Sequence, residues 1–347
     1  MNIADCKIAV FSDLHLGVHV NSPTWHEISL EWAKWFANDL LDRDIKTVVF
    51  CGDFFHNRSE ITVNTLHHAS TILELFRNFN IIMIAGNHDS FYKHNSTINS
   101  IKIFNGHKNI TVIDEPTVAK LSNKSAFFSP WGTDIENISE CDIVFGHFEI
   151  ESFKMNAHKI CDHGFKTTDL LEKAKLIISG HFHLREERHY DRGKILYVGS
   201  PFELDFGDAG TTKGYYILDT NDLTYEFIEN TVSPKHQKIS LSEIMKLTNF
   251  NEQAPQLLAN NIVKLYIDKT IKSEDLDKLS IKLNNFKPLN LIFDNVVDYN
   301  KFGLNQQDID LSGVDIVKAI SDFVDMLDIQ NQKDVKEYTI SLYNHCK

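Results

Sequence analysis

Five short apolar runs, each closed by a polar signature carrying Asp, Asn or His, set the tightest limit on what this chain can become. KIAVF (7–11) leads into SDLH, TVVFC (47–51) into GDFFH, NIIMIA (80–85) into GNHD, DIVF (142–145) into GHFE, and KLIIS (175–179) into GHFH. Runs this short and this rich in Ile and Val read as buried strands. Between them, residues 25–43 (WHEISLEWAKWFANDLLDR) and 62–79 (TVNTLHHASTILELFRNF) repeat apolar residues at spacings of three and four, the pattern of amphipathic helices. Strand, polar turn, helix, strand is the order of an α/β sandwich whose ligands sit at the carboxyl ends of the strands. All five signatures are therefore expected on one rim.

Further strands are expected at KILYVGSP (194–201), KGYYILDT (213–220) and LTYEFIENT (223–231), the last two joined by an Asn-Asp turn. Pro234 and its polar neighbours in TVSPKHQ (231–237) mark a boundary. Beyond it NNIVKLYID, SEDLDKLSIKLNNF and PLNLIFDNVV read as a small β-α-β unit, too small for independent stability and so packed on the first domain. DIVKAISDFVDML (315–327) and DVKEYTISLYNHC (334–346) read as two terminal amphipathic helices. The division expected is 1–232, 233–304 and 305–347, the last a partner-binding segment.

The signatures hold a chemistry in common. In an extended chain, residues i and i+2 point the same way, so Asp13 with His15 and His181 with His183 can each converge on one object. Asp53, Asn87 and His147 complete seven nitrogen or oxygen donors. Seven are too many for one closed zinc tetrahedron and suit two cations sharing a carboxylate. No cysteine belongs to the set, and Gly52, Gly86, Gly146 and Gly180 before four of the donors allow close approach of backbone and metal.

Composition narrows the rest. Hydrophobic residues at 42% and charged residues at 24% are globular values. The formal charge of -13 excludes a free-standing protein that coats nucleic acid electrostatically, although acidic metal ligands contribute to that total. The five scattered cysteines form no C-x-x-C pair and read as reduced thiols. No apolar stretch nears the roughly 20 residues of a membrane span, and MNIADCKIAVF lacks a secretory pattern, so a cytoplasmic protein without membrane partner is expected.

The series D-L-H, G-D-x-x-H, G-N-H-D, G-H and G-H-F-H, in this order, resembles the calcineurin-like metallophosphoesterase superfamily. Within it, GDFFH, YVGSP (197–201) and the later Lys213-Gly214 resemble the SbcD type of DNA double-strand-break repair nuclease subunit, a group that includes the recombination nuclease subunit of T-even-like phages. Coverage is good over residues 7 to about 230 and weak beyond. Protein phosphatases of the superfamily carry G-D-x-x-D-R-G where this chain has GDFFHNR, which disfavours a phosphoprotein substrate.

The resemblance implies an α/β fold: a metallophosphoesterase β-sandwich flanked by helices, with a small α+β capping domain and C-terminal helices. It implies two Mn²⁺ per chain, with Mg²⁺, Fe²⁺ or Zn²⁺ as possible substitutes. Asp13, His15, Asp53 and His183 would hold one, and Asp53, Asn87, His147 and His181 the other. His88 would serve the leaving group, with Asp89 orienting it and His56 assisting. The activity implied is a 3′ to 5′ exonuclease and single-strand endonuclease of DNA repair, recombination and replication. The chain would form a homodimer through helices near residues 62 to 104, within a heterotetramer with an SbcC-like coiled-coil ATPase. A small-molecule or phosphoprotein phosphoesterase, or a non-catalytic DNA-end tether, remain the alternatives. His19, His26, His67, His68, His94 and His107 match no motif and are expected in solvated or helix-surface roles.

Overall fold

A computed structural model of the chain describes residues 1–157, 159–295, 317, 321, 323–325 and 331–345. It comprises two compact units, Met1–Asp294 and Asn295–Lys347.

In the first unit two sheets stack face to face. The six-stranded sheet runs Tyr225–Glu229, Gly214–Asp219, Lys7–Phe11, Thr47–Phe50, Asn80–Ile84, Ile110–Ile113, the last four strands parallel. The seven-stranded sheet runs Asn2–Ile3, Thr117–Leu121, Lys124–Ser129, Cys141–His147, Ala174–Gly180, Gly193–Tyr197, Glu186–Tyr190. Alternation within each apolar run explains its continuity: Ile8 and Val10 face the opposite sheet, while Ala9 and Phe11 face a layer of helices.

Those helices are Pro23–Asp42, opened by a proline at its first turn, and Val63–Leu75, where the Thr62 side chain accepts from the Thr65 N–H at 3.2 Å. Trp25, Ile28, Trp32, Phe36 and Leu40 make one buried stripe on the first. Thr167–Lys173 covers the seven-stranded sheet from the other side, where Leu170 and Leu171 meet Ile177 and Ile195. The result is a four-layer helix, sheet, sheet, helix stack.

Parallel pairing sets the carboxyl ends level. Phe11 lies opposite Phe50 and Phe50 opposite Met83, while Gly146 lies opposite Ser179 and His147 opposite Gly180. The hairpin expected at 213–231 is present, antiparallel, with Asn221 and Asp222 in its turn. Missed by sequence reading are Ile110–Ile113, Thr117–Leu121 and Lys124–Ser129, and the edge strand Glu186–Tyr190, whose polar EERHY alternates between exposed and half-buried and so carries no apolar signal.

The small sheet is richer than the expected β-α-β. Its order is His236–Ser240, Ile262–Ile267, Asn290–Asn295, with helices Leu241–Met245, Phe250–Leu258 and Ser273–Asn284. HQKIS escaped notice because only His236 and Ile239 are buried in it. His236 joins this sheet to the sandwich. Its backbone N–H donates to Glu203 Oε2 at 2.5 Å, and its ring stacks on Trp25 at 5.7 Å. Of the two terminal helices expected, the second is observed as Gln332–His345, whereas the first lies mostly outside the described residues. Among the described residues, no helix is long and apolar enough to cross a membrane, and Cys6, Cys51, Cys141 and Cys161 are free thiols.

Candidate metal centre

Each signature leaves the carboxyl end of a central strand, and hydrogen bonds bind the loops to one another beyond the sheet. The Asp13 N–H donates to the Gly52 carbonyl at 2.9 Å and the His15 N–H to the Asp53 carbonyl at 3.1 Å. Asp13 accepts from the His181 N–H at 3.2 Å through both carboxylate oxygens, and Asp53 Oδ1 accepts from the His88 N–H at 2.8 Å. The structure thus brings all seven expected donors together. It corrects the reason, because the pairs are not extended. Asp13, His15, Asp53 and His181 have φ of 57, 49, 64 and 93°, in the left-handed region. Such residues cost on the order of 1–3 kcal/mol each and persist where surrounding structure enforces them.

The role expected for Asp89 is also corrected. Its buried carboxylate does not orient the His88 ring; it accepts from the N–H groups of Gly86, Asp53, Phe54 and Phe55 at 2.8 to 3.1 Å. Four backbone donors on one carboxylate fix the GDFF loop. The His88 ring is oriented by His56 instead, whose backbone carbonyl accepts from Nδ1 at 2.5 Å. The His56 ring lies with its Nδ1 3.4 Å from His15 Nδ1.

The glycines make room for side chains of the centre and the core. A Cβ on Gly52 would strike the His147 ring and one on Gly86 the Asp53 carboxylate, while Gly146 makes room for the Phe148 ring.

Donor atoms converge in two groups around Asp53. His15 Nε2 lies 3.0 Å from His183 Nε2, 3.6 Å from Asp53 Oδ2 and 4.0 Å from Asp13 Oδ1. On the other side, Asp53 Oδ2 lies 3.4 Å from His147 Nε2, and Asn87 Oδ1 lies 2.8 Å from His147 Nε2 and 2.9 Å from His181 Nδ1. Imidazole nitrogens and side-chain oxygens 2.8 to 4.0 Å apart, with one carboxylate oxygen between two histidine sets, fit divalent cations with mixed imidazole and oxygen ligation.

Electrostatics agree with that fit. Burial lowers His15 and His181 and brings His183 down to about 4, so these rings are neutral, the form that ligates metal. Burial likewise opposes the charged form of His147, but Asp53 overcomes it and lifts the ring to about 9. Asp53 is in turn held well below the carboxylate range, burial being outweighed by His147 and His15. Burial pushes Asp13 up to about 7, and burial with the nearby Asp53 charge pushes Asp89 up to about 6.

A cation between Asp53 and His147 must displace the imidazole proton, which competes below about pH 9. Metal affinity is therefore expected to rise with pH toward that value, with net proton release at neutral pH seen as buffer-dependent heat in calorimetry. Affinity flat over that window would contradict the arrangement.

Two further residues support the centre without a signal that singled them out for these roles. Glu149, the last letter of GHFE, has Oε1 3.4 Å from His181 Nε2 and 3.4 Å from His163 Nε2. A carboxylate behind a ligating imidazole fixes its tautomer and direction, here leaving Nδ1 for the centre. Lys213 is buried and donates through Nζ to the His183 carbonyl at 2.6 Å and to Ser200 Oγ at 3.0 Å, with Asp208 Oδ1 at 2.9 Å. The YVGSP and Lys213-Gly214 marks thereby meet behind the GHFH loop. Among histidines outside the motifs, His26 departs from the solvated role expected: it is buried against Thr65 and stacks on His68 at 4.4 Å.

Residues 6–185 match the family model described as calcineurin-like phosphoesterase. The chain is 27% identical over 307 residues to exonuclease subunit 1 of Enterobacteria phage T4, covering 80% of this chain and 89% of that protein. Among solved structures, an archaeal phosphodiesterase is 18% identical, with 65% of this chain and 99% of that one covered and a TM-score of 0.35. A hypothetical protein from Pyrococcus horikoshii OT3 is 12% identical, with 66% and 88% covered and a TM-score of 0.38.

Proposed function

Because the chain belongs to the calcineurin-like phosphoesterase family, we propose that it is a Mn²⁺-dependent DNA nuclease subunit, working 3′ to 5′ on duplex ends and cutting single strands. The observation that carries this reading is the convergence of seven donors on the two sides of Asp53 Oδ2. The phage relative, named an exonuclease subunit, supports DNA as substrate and a multi-subunit assembly. The partner in this reading is an SbcC-like coiled-coil ATPase, which supplies the basic surface that a chain of charge -13 lacks. Exposed Val63, Leu66, Ile98 and Ile103 support the homodimer contact near residues 62 to 104.

Asp13, His15, Asp53 and His183 would hold one cation, and Asp53, Asn87, His147 and His181 the other. When bound, such a pair neutralises the phosphodiester charge and makes a nucleophile available near neutral pH. The chain's own residues do the rest. Asp53 ties the two ligand sets together, while Asp89 keeps the backbone beneath it rigid. His88 is held edge-on to His15 at 4.8 Å between ring centres, with Nδ1 engaged by the His56 carbonyl, so Nε2 is left to protonate the departing sugar oxygen.

His88→Ala is expected to retain full metal content and to lower kcat by about 10²- to 10⁴-fold, the usual range for a general acid. His56→Ala preserves the carbonyl that orients His88 and should cost far less. Elemental analysis paired with turnover on duplex ends, hairpins, nucleotide monoesters and phosphopeptides tests both points. Rapid turnover of monoesters without DNA cleavage, even with the ATPase present, would overturn the nuclease reading.

A further inference from the structure

Beside the His147 and His181 side of the centre lies a cavity of about 290 Å³ that the chemistry above does not use. Resting on the nuclease reading, we propose that it is a nucleobase subsite, receiving the unstacked base next to the phosphate to be cut.

Trp131 is its main wall. The indole is half-buried, 5.3 Å from the His181 ring and 6.1 Å from the His147 ring between centroids. Nε1 donates to the Lys93 carbonyl at 2.7 Å, and the Trp131 backbone N–H donates to the Ala85 carbonyl at 2.9 Å. The ring is therefore fixed before any ligand arrives, which removes most of the ordering cost of stacking. Phe165 adds a second aromatic surface.

The polar lining decides between base and phosphate. Glu149 and Asp134 contribute two carboxylates against a single lysine, Lys93. The two carboxylates disfavour a phosphate on their side of the cavity, where the exocyclic amines of cytosine, adenine and guanine find acceptors. His147 lines the cavity and is also one of the seven donors, so a nucleotide with its phosphate at the centre has its base within reach. Single-strand and end-processing activity both present bases already free to leave the stack.

The test is an anisotropy titration of the full chain in Ca²⁺ with a short labelled single strand and with the same strand made abasic throughout. Trp131→Ala is expected to weaken the intact strand about tenfold, within the range for loss of one base-aromatic stack, and Trp131→Phe to recover most of that. The abasic strand should bind wild type and Trp131→Ala alike. Equal weakening of both strands would mean that Trp131 only props His181, and equal affinity of wild type for the two strands would remove the subsite altogether. Wild-type hydrolysis of bis(p-nitrophenyl) phosphate, which has no base, judges the phosphodiesterase reading separately.

Discussion

An Asp53→Ala chain is expected to lose both cations and all measurable phosphodiester cleavage. Among the described residues, Asp53 Oδ2 is the one carboxylate oxygen close to both His15 and His147, at 3.6 and 3.4 Å, so its removal unties both ligand sets. Metal affinity should fall by well over the roughly 10- to 100-fold seen when only an outer partner of a ligand is removed. The metal-free protein should also lose stability. His147 is left buried without the counter-charge that raised it, and the His88 N–H loses its acceptor. Asp53→Asn keeps an acceptor of the same shape for His88 but not the charge. It should therefore recover only the part of the stability carried by the His88 hydrogen bond, His147 still lacking its counter-charge, while binding metal as poorly as the alanine form. Calorimetric metal titration alongside thermal unfolding in chelator separates the two variants, and tight metal binding by Asp53→Ala would refute the bridging role.

Lys213→Met should be the most damaging change away from the donors. The ammonium lies between Asp208 Oδ1, Ser200 Oγ and the His183 carbonyl, and burial already pushes it below the ordinary lysine range. Without it, Asp208 is a buried carboxylate whose remaining partners include the Leu204 N–H at 2.9 Å. Breaking a buried pair from one side costs about 3–5 kcal/mol, whereas replacing both partners by apolar residues is often nearly neutral. The double change Lys213→Met with Asp208→Leu should thus regain most of the stability in urea unfolding. It should not regain metal affinity, because the His183 carbonyl keeps only the Ser200 N–H at 3.1 Å and has lost the ammonium. Recovery of both together would show that Lys213 serves the fold alone.

Sequence reading found the seven donors for a definite reason. Each follows a short apolar run rich in Ile and Val, these runs form buried strands, and the parallel ones share a carboxyl end. What it missed depends on contacts between loops far apart in sequence. Nothing in SDLH says that Asp13 and His15 take positive φ, because the conformation is enforced from Gly52 and Asp53 some 40 residues away. Asp89 looked like a partner of His88 because it is adjacent in sequence, but tertiary structure supplied four backbone donors that compete better for it. Lys213 was noticed only as part of a family resemblance, its target 30 residues upstream being a carbonyl that no side-chain pattern records. The polar strands Glu186–Tyr190 and His236–Ser240 passed unseen because one is a sheet edge and the other buries two residues.

The donors come from both sheets: Asp13, His15, Asp53 and Asn87 from loops of one, His147, His181 and His183 from the other. His15 and His183 are 168 positions apart, and the strand Gly214–Asp219, which pairs beside Lys7–Phe11, comes later still. A chain ending before that strand carries every donor yet lacks the neighbour of the strand that leads into Asp13 and His15. Metal uptake is therefore expected to report on completion of both sheets rather than on the presence of the ligands alone.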